Sequence, residues 1–577
     1  SGICNNPFYW WCMMSDECYG SGGLQDNVNK SLHHFTTASS NQYEHDFVLL
    51  YGGISRANNQ IETIDNVAWT TAQKAQRDQL LGEAFFMRGL YTMWLTQLYG
   101  DVPLITSTTI PDEMQEQVSA EDVIYPQIIA DFTSAKNLMK PERANGSGHA
   151  DKFAAEAFIA RAYMFWAGFY KKAGELANGS GPAISLVDRN GEAIAQEGLS
   201  VSSVSQADVV AGLKDIVSAG GYKLCEDFRS LWQYSNSLLW DEAHDGVGHA
   251  YEFIADMKRE NCFDQPGMGN GNTEEIFQIQ FLNASKWAIS GTYNNARMYS
   301  NYLSCFWGLR NGATNDNGKR DKTYPFNQGW GQGTPSCNIW DDWTDAERTG
   351  DYTDIRKLGT LIDLDNELES YTYEKDDNEE SGYACKKYAD VNLDACAADN
   401  DSWWSQCEGY SASSLDNKQQ GDHFEDFYLM RYSDVLLMLT ELTGDAQYMN
   451  QVQARAGVPQ TPYTWANLQN ERRWEFALEG LRFNDLRRWS GIDGGESCMA
   501  AKALQAQSGK QIVCYGNKSA KISLAHMTCS WAKRYADTNG FLPKPQAQIT
   551  LMSGKMQQNP GWDENTPAAE YTYKVLY

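Results

Sequence analysis

A chain of 577 residues and 64.9 kDa exceeds what one hydrophobic core usually organises, which predicts several domains or one large repetitive architecture and excludes a small secreted scaffold. Hydrophobic residues make up 42%, charged residues 21%, and the mean hydropathy is -0.54; the composition is that of a globular protein and excludes global disorder. Seventy-five acidic against 47 basic side chains leave a formal charge of -28, a field that repels phosphate backbones and anionic lipid, so no nucleic-acid partner is expected.

The chain opens Ser1-Gly2-Ile3-Cys4-Asn5, with neither a basic n-region nor an apolar h-region. No stretch approaches the roughly 20 apolar residues of a membrane-spanning helix. The expectation is a cytosolic protein or a processed mature chain. Thirteen cysteines run from Cys4 to Cys529 without a CxxC pair, so the spacing that recommends a zinc or thioredoxin-like site is missing. Aromatic residues reach 12%, and many tryptophans fall in polar, Gly- and Asn-rich stretches: Trp10, Trp11, Trp307, Trp330, Trp340, Trp343, Trp403 and Trp404. Rings on loops are candidate binding platforms; the alternative is that they cap satellite cores beneath loops.

Residues 46–173 read as successive helices. Ala84, Met87, Tyr91, Trp94, Leu95 and Leu98 fall at the three-and-four spacing of one helix face, and Gly100-Asp101-Val102-Pro103 stops it. Ser119 with the acidic turn Glu121-Asp122 starts a second helix, which repeats Ile124, Ile128, Ala135 and Met139 before Pro141. A third spans Lys152 to Tyr170. Helix, break, helix at intervals of roughly 34 residues is the logic of tetratricopeptide-like pairs. From 174 to 420 helical periodicity fades, apart from 206–219; Ile276 to Phe281 alternates like an edge strand, and Asp376 to Ser381 is a solvated acidic run. Helices return over 421–577, with one stripe at Leu429, Tyr432, Leu436, Leu439 and Leu442 and another at Trp474, Leu478 and Leu481.

Glu471, Glu475 and Glu479 stand four apart, a spacing at which like charges on one helix face repel unless cations intervene. Arg431, Arg482, Arg487 and Arg488 are the expected suppliers, and a structural ion-pair network is expected rather than acid-base chemistry. Enzymatic signals are weak throughout. Carboxylate pairs such as Asp16-Glu17 and Asp341-Asp342 are what any acidic chain offers. His244 and His249 stand five apart, unlike the HExxH helix of zinc hydrolases, and no GxxxxGK[ST] or GxSxG is present. His33-His34 reads as an exposed pair, Gly267 to Gly271 as a flexible loop, and no EF-hand spacing supports calcium. The expectation is no catalytic residue, no cofactor and no metal site.

The segment ERRWEFALEGLRFNDLRRW from Glu471 resembles the C-terminal signature of the SusD/RagB family, the outer-membrane nutrient-binding lipoproteins that partner SusC-type TonB-dependent transporters. DFYLMRYSDVLLMLTEL over 426–442, the turn at Gln453 to Pro459, the early helix ending YGDVPL, the Asp354-Ile355-Arg356-Lys357 segment, and LPKPQ with QNPG near the end resemble further family motifs in the same order. The resemblance covers 51–562. It implies a single all-α domain of four tetratricopeptide-like helix pairs, with a large loop-rich insertion carrying short strands and the ligand site. It also implies an oligosaccharide ligand, a SusC-type partner, and an outer-membrane position through a lipidated cysteine absent from the first position here.

By region, the resemblance places the site between residues 10–46 and 293–343. A sugar ring offers an apolar face for stacking and hydroxyls for hydrogen bonding. Trp11 and Trp307 are therefore the expected platforms, Tyr299 a mixed contact, and Asp16, Asn41, Asp46 and Arg310 the polar partners. A peptide ligand, or less favourably a glycoside hydrolase, are the alternatives.

Overall fold

A computed structural model describes residues 7–20, 27–36, 43–143, 147–235, 251–262, 265–268, 271–281, 306–307, 331–368, 381–389, 426–508, 512–513, 523–527, 530–563, 566 and 571–575. Among them, helices dominate. Two short ones open the chain, α1 (Pro7–Met13) and α2 (Asn27–His34). The stack begins with α3 (Glu44–Thr63), α4 (Lys74–Tyr99), α5 (Tyr125–Leu138), α6 (Lys152–Phe165) and α7 (Gln206–Ala219). Beyond α8 (Glu252–Arg259), α9 (Cys337–Gly350), α10 (Ile355–Thr360) and the single turn α11 (Leu364–Glu367), it resumes with α12 (Tyr432–Thr443), α13 (Ala446–Arg455), α14 (Trp465–Glu475) and α15 (Arg482–Ser490). The chain closes on α16 (Met499–Gln505), α17 (Trp531–Thr538) and α18 (Gln546–Leu551).

Each stack helix packs on the next: α3 on α4, α4 on α5, α5 on α6, α6 on α7, α7 on α12, and α12 on α13 and α14. Eight of these helices, α3–α7 and α12–α14, make four pairs, which is the all-α, tetratricopeptide-like architecture expected. Segment 206–219, inside the span read as the insertion, thus belongs to the stack as α7.

The boundaries follow from local chemistry. Gly100 ends α4 at φ +68°, donating its N–H to Thr96, a conformation costly for residues with a Cβ. Ser119 caps its segment by accepting from Asp122 N at 3.1 Å, and a π turn at Ala120–Ile124 leads into α5. Asp151 caps α6 at 2.8 Å, and a second π turn, Trp166–Tyr170, continues it.

Two expectations fail on backbone geometry. The stripe from Leu429 is not one helix: Phe427–Arg431 is a strand, fully buried and antiparallel to Glu275–Ile279, and helix starts only at Tyr432. A strand covered on both faces shows no alternation, so its pattern passes for helix. The 471–489 segment is likewise two helices, because Leu478 (φ +65°) and Gly480 (φ +75°) turn the chain between α14 and α15. Gly480 is required there: a Cβ would lie 2.8 Å from the Phe8 carbonyl of α1. The remaining strands form small antiparallel pairs, apart from one three-stranded sheet near the C-terminus.

Glu471, Glu475 and Glu479 are neutralised as expected in kind: Arg431 takes part as expected, while Arg356, Arg455 and Lys387 stand where Arg482, Arg487 and Arg488 were expected. Arg431 donates to Glu475 (2.9 Å), Glu479 (2.7 and 2.9 Å) and Glu274 (2.6 Å). Arg356 bridges Asp354, Glu471 and Glu475; Arg455 bridges Glu274 and Glu475; Lys387 reaches Glu479 at 2.9 Å. Arg482 pairs with Asp16, Arg488 with Glu441 and Asp485, and Arg487 donates to the Gln97 carbonyl. The cluster ties 274, 356 and 387 of the 174–420 span to 431, 455 and Glu471, Glu475 and Glu479 of the C-terminal helices in one buried clamp.

Candidate ligand-binding face

The two stretches expected to flank the ligand do meet. α1 carries PFYWWCM, of which all but Pro7 is buried. The chain leaves it through a turn in which the Ser15 hydroxyl donates to the Cys12 carbonyl at 2.7 Å. From that turn Cys18 pairs with Pro335 as an isolated β-bridge, Tyr19 N donates to the Thr334 carbonyl at 2.8 Å, and Ser336 N to the Glu17 carbonyl at 2.7 Å. The Ser336 hydroxyl works twice, accepting from Ile339 N as the cap of α9 and donating to the Asp16 carbonyl at 2.7 Å. Tyr9 stacks on Phe306 with centroids 4.1 Å apart.

The rings expected as platforms lie inside this junction. Trp11 is 2% exposed and edge-on to Phe8 at 5.4 Å. Trp307 is 2% exposed, stacked on Tyr388 at 4.7 Å and edge-on to Tyr9 at 5.5 Å. Gly333 lies against the Trp307 indole, where a Cβ would stand 2.6 Å from Nε1. Neither ring presents a free face, so both are corrected from platforms to core. Trp10 and Trp343 are buried as well, Trp343 stacking on Trp474 at 4.9 Å and donating to Asp354 at 3.1 Å.

Asp16 is corrected too. It is 4% exposed and held bidentately by Arg482 at 2.8 and 3.0 Å, with Arg473 at 3.3 Å. Burial alone would raise its carboxyl, but the two guanidiniums outweigh burial and hold it well below the usual carboxylate range. Its neighbour Glu17 moves the other way: burial first, then the Asp16 charge, push it up to about 8. Leu478 N donates to Glu17 Oε2 at 3.2 Å. These carboxylates fasten the N-terminal turn to the α14–α15 connection and are no acid-base pair across a bond.

Asp46, in the first turn of α3, is 4% exposed, has no partner at Oδ2 among the described residues, and is pushed up to about 8 by burial. Asn41, Tyr299 and Arg310 lie outside the described residues, as do Trp330, Trp403, Trp404, His244 and His249. His33 and His34, expected at the surface, are buried beside Trp531 with ring centroids 5.4 and 5.0 Å away.

Of the tryptophans singled out in the sequence, five are described (Trp10, Trp11, Trp307, Trp340 and Trp343), and among these Trp340, on α9, alone keeps partial exposure. Its ring stacks on half-buried Tyr383 at 4.5 Å and 16°, and Lys357 Nζ stands 4.1 Å from its centroid. Sequence reasoning missed Tyr383 and Lys357, which approach from the short strand Tyr383–Cys385 and from α10. The Lys357 in Asp354-Ile355-Arg356-Lys357 was visible as a motif residue, whereas nothing near Tyr383 marks it. Among the described residues, Asp227, Glu260 and Cys262 gather ligand-type atoms, but Arg229 already neutralises both carboxylates. The arrangement does not invite a cation.

A family model described as the SusD family matches residues 273–562. The chain belongs to the SusD family. A second SusD-like model, described as starch-binding associating with outer membrane, matches residues 16–164. Solved SusD-like structures share the fold. A laminarin binding SusD-like protein is 20% identical, with 96% of this chain and 94% of that one covered at TM-score 0.61. The surface glycan-binding protein A of Bacteroides fluxus is 21% identical, with 96% and 93% covered at 0.62. That of Bacteroides thetaiotaomicron in complex with laminarihexaose is 17% identical, with 96% and 93% covered at 0.62. No curated protein matches the chain. No helix among the described residues is long and apolar enough to cross a membrane.

Proposed function

We propose that this SusD-family chain is a cell-surface glycan-binding protein that captures oligosaccharide and delivers it to a SusC-type TonB-dependent transporter, acting as the barrel's lid and catalysing no reaction. The family match carries the reading. Its support in the structure is the junction at which the N-terminal turn and the segment leading into α9 are laced together, with buried rings as the foundation and not the contact surface.

The ligand contacts then fall on Asn41, Tyr299 and Arg310, joined by the exposed edge of the half-buried Trp340–Tyr383 stack; Asp46, as buried as Asp16, is not among them. Laminarin and starch are the first ligands to test, since these sugars appear in the descriptions of the relatives and models. Lid closure follows if ligand contacts exist only in the closed state, because a ligand shifts an equilibrium by its differential affinity for the two states. Lipid anchorage at the outer membrane belongs to the same proposal.

Isothermal titration against laminari- and malto-oligosaccharides, with a peptide mixture as comparator, tests it. Saturable binding of a glycan without release of reducing ends is expected. Binding confined to peptides, or sugar release that vanishes on changing one carboxylate, overturns it.

A further inference from the structure

A cleft of about 130 Å³ lies between α5, α6, α7 and the 200–204 segment, with room for several waters. On its α6 side stands Glu156, 5% exposed. Its Oε1 is 3.6 Å from Lys152 Nζ, beyond hydrogen-bond length, and its Oε2 has no partner among the described residues. Lys152 is itself engaged by Asp215. A buried carboxyl without a hydrogen bond is costly, so it calls for an occupant that supplies one.

Gly212 of α7 faces this side chain: the nearest atoms to a Cβ there would be the Glu156 Cβ and Cγ at 3.6 Å and its carboxyl carbon at 3.8 Å. A glycine in a helix interior is unfavourable relative to alanine, and here its missing side chain keeps the cleft open over the acid. Ile159, Val204 and Val209 form buried apolar walls, with Val201 at 45% exposure beside them.

Charge narrows the occupant. Lys136 of α5 and Lys152 of α6 face Asp208 and Asp215 of α7, two cations against two anions, all interacting with one another or with Glu156. Burial raises the Glu156 carboxyl to about 7, so near neutral pH it holds its proton for much of the time. Neither an anion nor a cation gains from such a balanced field. A neutral molecule with several hydroxyls does: it hydrogen-bonds the carboxyl and Lys136 while its C–H groups rest on the valines and Ile159.

We infer that the α5–α6–α7 cleft binds a small neutral polyol, no larger than one sugar ring, against Glu156. The inference stands apart from the glycan reading of the loop face, since it shares no residue with it.

Methyl-labelled protein, titrated with glycerol and D-glucose, tests the site locally by the resonances of Ile159, Val201, Val204 and Val209; n-propylammonium and acetate are the charged comparators. Saturable shifts with at least one polyol are expected. Gly212→Leu, which fills the cleft, should weaken them at least tenfold, as should Glu156→Leu if the first variant fails to fold. Glu156→Gln keeps the hydrogen-bonding shape and should bind within threefold of the parent. No polyol-induced shift at these methyls, unchanged affinity in the filled variant, or binding of n-propylammonium that Glu156→Gln abolishes would overturn the inference. Loss of glycan binding at the loop face leaves these methyl shifts untouched, so the two proposals fail separately.

Discussion

Arg431 is the residue on which the buried clamp most depends, and Arg431→Met measures it. The guanidinium is buried and touches Glu274, Glu475, Glu479, the Ser433 hydroxyl at 2.7 Å and the Glu475 carbonyl at 3.2 Å. Breaking a buried pair by removing one partner costs about 3–5 kcal/mol, because a charge is left uncompensated. Here each abandoned carboxylate keeps another cation: Arg455 for Glu274, Arg455 and Arg356 for Glu475, and Lys387 for Glu479. That argues for the lower end, about 3 kcal/mol.

The loss should also depend on pH. Burial would raise Glu475, but Arg455, Arg431 and Arg356 outweigh it and hold the carboxyl well below its ordinary range. Stability from a depressed carboxylate is present above its unfolded value of about 4.3 and disappears as pH falls through the folded one. The unfolded value is common to both proteins and cancels from their difference; Arg431→Met raises the Glu475 carboxyl but leaves it Arg455 and Arg356, so the parent's advantage should be full at pH 7 and shrink only as the pH falls through the variant's value. Urea unfolding of both proteins, followed by tryptophan fluorescence and circular dichroism between pH 7 and pH 3, reads the difference. A loss below about 1 kcal/mol at pH 7, or a gap that widens as the pH falls to 3, would refute the clamp.

Trp307→Ala should act as a core deletion, costing about 3–5 kcal/mol; thermal unfolding beside glycan titration separates this from the platform role, which predicts lost affinity in a protein of unchanged stability. Glu17 is raised to about 8 by burial and the Asp16 charge, so the stability it contributes is full below its unfolded value and lost as pH rises through the folded one. Glu17→Gln should consequently gain on the parent by roughly 1 kcal/mol per pH unit between pH 5 and 7, and parallel stability curves would contradict this. Gly480→Ala combines a positive φ with a Cβ 2.8 Å from the Phe8 carbonyl and should cost about 2–3 kcal/mol. Limited proteolysis should then cut near α1 first, and an uncut N-terminus at equal protease would count against the contact.

The helix pairs were legible because their stripes are long and their stops chemical: Gly100, the Ser119 cap and the Asp151 cap each act within a few residues of sequence. What escaped depends on partners far along the chain. Nothing around Trp307 announces Tyr388, nor anything around Trp343 the Trp474 ring it stacks on; polar neighbours made both look exposed. Glu471 meets Arg356 across 115 residues, so the nearer arginines were the natural but mistaken choice for most of the network. The meeting of the two flanking stretches was legible from the family resemblance alone. Which atoms face outward there was not, since exposure is a property of packing and not of composition.

The first helix is buried in stages along the chain: Tyr43 and Trp94 reach it early, Phe306 midway, and the last third of the molecule completes the cover. Phe8 rests on Phe427 with ring centroids 5.1 Å apart, and Asp16 is gripped by Arg482 across 466 residues. At roughly 5–20 residues per second of synthesis, the ribosome needs about 20–90 s to deliver that grip after the segment has emerged. For that interval the apolar heptapeptide PFYWWCM has Tyr43 and Trp94 to pack on but lacks the Phe427 ring and the Arg482 grip that complete its shelter.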